Sequence, residues 1–205
     1  MTSLTAFALA SLLLVAVPGP NLIYIVTRSV QDGRRAGVVS ALGVETGTLV
    51  HVIAAVGGLA ALIADHPLAF ALLRFAGAGY LAHLGVRALL RRPSAAAGAE
   101  RPTRHRLLRL YGDAVLVNLL NPKVVLFFLA FLPQFLPTGL PPTETRTRML
   151  VLGAVFLVIA LVLDLCYALV GAALTGRLRG TPHRARRLSC LTGGVYLALA
   201  ALVFI

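Results

Sequence analysis

The chain has 205 residues, of which 59% are hydrophobic and 13% charged, and its mean hydropathy is +0.89. A soluble domain of this size has no use for so much apolar surface, and the long uncharged runs point to a polytopic membrane protein. The net charge of +12 would suit a nucleic-acid binder, but nearly all the arginines sit in short segments between apolar runs, which is the pattern of membrane orientation.

Six apolar spans are predicted, at 4–27, 37–64, 67–90, 112–136, 149–176 and 188–205. The last is near the lower limit for crossing a bilayer. No segment reads as a soluble domain, so residues 1–205 form a single transmembrane domain. The longest connector is rich in Pro, Ala and Arg and reads as a flexible basic linker over 93–111. No basic segment precedes the first apolar run, so a cleaved signal peptide is not expected. Cys166 and Cys190 lie in or beside apolar segments without metal spacing and read as buried small hydrophobes.

The connectors alternate in charge. The first holds Arg28, Arg34 and Arg35, the third six arginines from Arg91 to Arg109, and the fifth five from Arg177 to Arg187. The second is only Asp65-His66, and the fourth mixes Glu144 with Arg146 and Arg148. By the positive-inside rule, loops one, three and five are cytoplasmic and both termini external. That orientation places Ser94 and Thr181 inside and Asp65 outside.

The first span contains Pro18-Gly19-Pro20-Asn21. Each proline lacks an N–H, and its ring clashes with the carbonyl four residues back. In lipid, such a break survives only where protein or a wet cavity covers the freed backbone groups. The span is therefore either merely kinked, or broken with its exposed dipoles and Asn21 facing something polar. The fourth span repeats the feature as Asn118-Leu119-Leu120-Asn121-Pro122. Spans two and five each carry one acid, Glu45 and Asp164. Spans three and six share a small phrase, Gly77-Ala78-Gly79-Tyr80 and Gly193-Gly194-Val195-Tyr196. This order predicts an all-α fold with an inverted 3+3 repeat, its halves near 1–92 and 112–205, and broken helices one and four. One detail resists strict inversion. Both breaks fall on the cytoplasmic side, roughly 10–14 Å from the boundary at helical rise.

A charge at the bilayer centre is expensive, about 2.5–3.5 kcal/mol on insertion scales. Glu45 and Asp164 are therefore candidate proton carriers or partners for a substrate ammonium; the plainer reading is a structural ion pair or a protonated acid bonded to backbone. His51 shares a helix face with Gly43 and Gly47. The glycines permit close helix packing, as Gly77 does in span three. His51 either relays protons or bonds a neighbouring helix. Lys123, the sole lysine, either binds a carboxylate or snorkels towards the cytoplasm, and Arg74 reads as snorkelling outward. A helix restarting after a break offers free N–H groups to a carboxylate. The candidate substrate-binding residues are thus Pro18, Gly19, Pro20, Asn21, Asn118, Asn121, Pro122 and Lys123.

These motifs resemble the LysE/RhtB family of amino-acid exporters over essentially the whole chain. The resemblance rests on Pro18-Gly19-Pro20-Asn21 with Gly33-Arg34-Arg35-Ala36-Gly37, and on the Gly43, Gly47 and His51 spacing leading into Gly58-Leu59-Ala60-Ala61-Leu62. It rests further on Gly77-Ala78-Gly79-Tyr80-Leu81, and on Asn118-Leu119-Leu120-Asn121-Pro122-Lys123 followed by Phe127-Phe128 and Pro133-Gln134-Phe135. It implies a six-span inner-membrane protein that exports amino acids or close derivatives using the proton gradient. Glu45 departs from the small or apolar residues usual between the two glycines, which marks a subgroup or a changed substrate. The expected partners are a small-molecule substrate, protons and membrane lipids, with a homodimer left open and no nucleic acid. No cofactor and no metal is expected. The alternatives are a channel or an efflux protein for another small solute or cation. An intramembrane enzyme would need a catalytic cluster such as HExxH, and none occurs in the sequence.

Overall fold

The computed structural model describes residues 2–58, 67–90, 103–137, 139–174 and 182–201. Within them the fold is all helical: α1 (Thr2–Ala16), α2 (Pro20–Asp32), α3 (Arg34–Val56), α4 (Pro67–Leu90), α5 (Arg104–Leu119), α6 (Pro122–Leu126), α7 (Pro142–Ala173) and α8 (Pro182–Ala201). A π-helical turn, Phe127–Phe131, and a 3-10 turn, Leu132–Phe135, continue α6. Asp65, Ser94 and Thr181, on which the expected orientation can be tested, lie outside the described residues, as does the side chain of Arg74.

Helices α3 and α7 are each long and apolar enough to cross a bilayer. The first and fourth spans are broken as their prolines require. Residues of α1 and α2 meet at 53°, and α5 meets the segment Pro122–Phe135 at 48°. Counting each bent pair as one span gives up to four among the described residues. The apolar stretches described in α4 and α8, Phe75–Leu90 and Ser189–Ala201, are shorter.

Gly33 makes the one-residue link between α2 and α3 at φ 89°, a left-handed conformation that favours glycine. Helix α3 then runs between α2, α5 and α7, while α4 and α8 pack on one another. Two clusters form the interior. One joins Tyr24, Val44, Leu81, Val117, Ala168 and Tyr196. The other is aromatic: Phe127 stacks near Phe7, Phe128, Phe131 and Phe156, with centroids 4.5–5.7 Å apart. Outside the bundle, Leu13, Ile53, Leu72 and Val162 stand exposed, an apolar coat that suits lipid rather than water.

Two expectations need correction. The linker read through Tyr111 ends earlier, because α5 already begins at Arg104. There the side chain of Thr103 accepts from the Arg106 amide, capping the helix, and Arg106 forms an ion pair with Asp32 that anchors the first turn. Cys166 and Cys190 are exposed on the outside of the bundle, not buried. Apolar neighbours do not reveal burial here, since a lipid-facing helix surface is as apolar as the core.

Candidate functional site

At the first break the chain leaves α1 through Val17 and Pro18 and restarts with Pro20 at the first helical position, where a missing N–H is of no consequence. Gly19 occupies the cap position in an extended conformation, and no side chain caps the helix. Among the described residues no side chain takes up the amides of Asn21 and Leu22, the donors of the first turn at the positive end of the helix dipole. The carbonyls freed at the end of α1 are satisfied from a distance. The Lys123 ammonium donates to Leu14 O and to Val17 O, the latter at 2.8 Å. Lys123 therefore neither reaches for the membrane surface nor stands free. It holds the first break shut from the second.

The second break is self-contained. The Asn121 side-chain oxygen accepts from the Lys123 amide at 3.1 Å, capping α6. The Asn121 amide nitrogen donates to Asn21 Oδ1 at 3.0 Å. The two breaks therefore lie side by side at one level, which is the feature that resisted strict inversion.

Beside this junction lies a narrow cavity of about 40 Å3, lined by Gly19, Asn21, Leu22, Glu45, Thr48, Asn121, Lys123 and Asp164 with apolar neighbours including Phe156 and Ala160. It holds room for water-sized groups. Glu45 from α3 and Asp164 from α7 are both buried, at 6% and 4% exposure. They are close enough to interact directly, and Asp164 also feels the charge of Lys123. Neither oxygen of Glu45 has a hydrogen-bond partner among the described residues. The lining thus brings together two carboxyl groups, the start of α2 and the Lys123 side chain.

The other candidates are distributed differently. Pro18, Pro20 and Pro122 line an adjoining apolar groove of about 890 Å3, walled also by Leu81 and Leu199, which shares Gly19, Asn121 and Lys123 with the small cavity. Asn118 is fully buried between α3 and α5, where its amide donates to Thr48 Oγ1 at 3.2 Å, and it does not line the cavity. His51 contacts the Asn118 carbonyl at 3.3 Å and stacks on Phe128, also away from the cavity. Gly43 and Gly47 lie against α5, where an added Cβ would come within 2.6 Å of Tyr111 O and 2.7 Å of Asn118 Oδ1. At Gly77 a Cβ would come within 2.2 Å of Leu120 O, beside the second break.

Sequence reasoning missed Thr48, Phe156 and Ala160 as lining residues. The signal was available. Thr48 is one turn from Glu45, and Ala160 and Phe156 lie one and two turns from Asp164, so each shares a face with an acid.

The family model of the LysE type translocator matches residues 12–205. A homoserine/homoserine lactone efflux protein of Salmonella typhimurium is 31% identical over 97% of this chain and 94% of its own length. Its counterpart from Salmonella typhi is 30% identical over the same shares. An uncharacterised membrane protein of Pseudomonas aeruginosa is 35% identical over 95% of this chain and 90% of its own length. No solved structure matches the chain. A broken-helix bundle with buried acids at its breaks, matched over nearly its whole length, belongs to the LysE type translocator family, whose members are membrane transporters and not enzymes.

Proposed function

We propose that this translocator exports small amino acids or close derivatives across the cytoplasmic membrane in exchange for protons, binding its substrate at the first helix break. The observation that carries the reading is the shared cavity of Glu45, Asp164 and the uncapped start of α2. A zwitterion has two charged ends a short distance apart. Its carboxylate fits the amides of Asn21 and Leu22 at the positive helix end. Its ammonium fits the carboxyl pair. Two carboxyl groups in one site shielded from water also give a proton a place to be exchanged for that ammonium. His51, held by the Asn118 carbonyl and Phe128, takes no part in this exchange.

The cavity is too small for an amino acid as it stands, so substrate access requires the segments around the breaks to part. The relatives named for homoserine and homoserine lactone efflux make small polar amino acids the first class to test. Arg28, Arg34, Arg35, Arg106 and Arg109 cluster near the loop-one and loop-three ends, which supports those loops being cytoplasmic.

Everted membrane vesicles provide the test. Uptake of L-homoserine, and of a panel of amino acids, should rise when a proton gradient is imposed and collapse with an uncoupler. Uptake indifferent to the gradient would indicate a channel. For orientation, an impermeant thiol reagent should fail to label Ser94→Cys from outside intact cells, on a background without Cys166 and Cys190.

A further inference from the structure

Away from the breaks, at the arginine-rich end, a second cavity of about 600 Å3 opens between α2, α4, α5 and α8. Arg28, Arg87, Arg106, Arg109, Asp113 and Tyr196 are among its lining residues. Part of this charge is internally matched. Asp32 pairs with Arg106 and lies 3.7 Å from Arg28. Tyr80 donates to one oxygen of Asp113 at 3.1 Å. The Tyr24 ring lies beneath the Arg28 guanidinium, and its hydroxyl donates to Leu110 O.

Three of the residues lining this cavity each carry a buried polar atom without a hydrogen-bond partner among the described residues: Arg28 Nε, the Tyr196 hydroxyl and Asp113 Oδ2. The last has only Arg87 at 3.8 Å, beyond hydrogen-bond reach. Tyr196 is 1% exposed, and Arg28 and Asp113 both lie within electrostatic range of it. Buried polar groups are almost always hydrogen-bonded, so a cavity that gathers two such donors and one such acceptor is shaped for a ligand bearing the complement.

We propose that this cavity is a second amino-acid binding site, in which Arg28 and Tyr196 receive the α-carboxylate and Asp113 receives the α-ammonium. The Asp113 carboxylate offers a partner to an ammonium, which distinguishes a zwitterion from a lone lipid phosphate. In the orientation proposed above, the site faces the cytoplasm and captures substrate before it reaches the breaks. The inference rests on the substrate being an amino acid.

The test is equilibrium binding of radiolabelled L-homoserine, then of each protein amino acid, to the full-length protein in nanodiscs of phosphatidylcholine. Two binding sites per chain are expected. Tyr196→Phe, and separately Arg28→Lys, should weaken one of them by about tenfold or more, a loss of at least 1.4 kcal/mol. Asp164→Asn should instead weaken the other. Homoserine lactone, which lacks the carboxylate, should compete poorly at the arginine end. Tyr196→Phe removes a hydroxyl without a partner, so the unliganded protein should melt as the parent does and lose only ligand-dependent stabilisation. A single site untouched by both substitutions overturns this proposal and leaves transport at the breaks standing. Binding lost in Tyr196→Phe but unaltered in Asp164→Asn keeps this site and overturns the one at the breaks. No binding of any amino acid overturns both.

Discussion

The two helix breaks arise from the same chemistry and are finished differently. At the second, Asn121 caps its own helix and ties the turn to Asn21. At the first, Gly19 offers no cap, and the carbonyls of Leu14 and Val17 depend on a lysine 109 residues and 106 residues away. A break that satisfies itself is structural. One whose helix start is uncapped beside Glu45 and Asp164 is where the proposed function places the ligand. A proline motif alone does not mark a binding site; what its freed backbone groups find in three dimensions does.

The largest effect is expected at the carboxyl pair. Asp164→Asn keeps shape but removes titration, so gradient-driven accumulation in everted vesicles should vanish while exchange of substrate down its own gradient survives. Asp164→Glu should retain some coupling with an altered pH optimum. Unchanged uphill transport in Asp164→Asn would move the proton to Glu45 alone.

Next comes the first break itself. Pro18→Ala combined with Pro20→Ala allows the helix to close over the free amides, and transport should fall roughly tenfold, as losing about 1.4 kcal/mol of binding implies. Membrane insertion, followed by the amount of protein in the membrane fraction, should be preserved. Normal transport would reduce the break to a kink.

Lys123→Met leaves two carbonyls of the first break without their donor. An acceptor left unsatisfied away from water costs about 1–3 kcal/mol, so the melting temperature should fall, and transport with it. A purely substrate-binding lysine would change affinity without changing thermal stability. The smallest effect is expected at the second break. Asn121→Ala removes a helix cap worth about 1 kcal/mol together with the bond to Asn21. Stability should drop modestly, and transport less than in the double proline variant. The reverse order of these two would make the second break the ligand-facing one.

By itself the sequence determined whatever follows from backbone chemistry and hydropathy. Prolines at 18, 20 and 122 break helices wherever those helices pack, because the missing N–H and the ring clash are local. Apolar runs around Glu45 and Asp164 place both acids inside a membrane bundle, because a lipid-facing charge is too costly. The family motifs were legible for the same reason: they are short and contiguous. Helix rotation and crossing decided the rest. In a membrane protein the outer face is as apolar as the inner one, so periodicity does not say which side turns inward. That is why Cys166 and Cys190 sit outside, and why Asn118 packs between α3 and α5 while its neighbour Asn121 reaches the cavity. The meeting of Glu45 with Asp164, the reach of Lys123 to the end of α1, and the gathering of Arg28, Asp113 and Tyr196 join residues from distant helices. No local pattern encodes those distances; helix packing sets them, as where Gly153 of α7 lies against Val52 of α3.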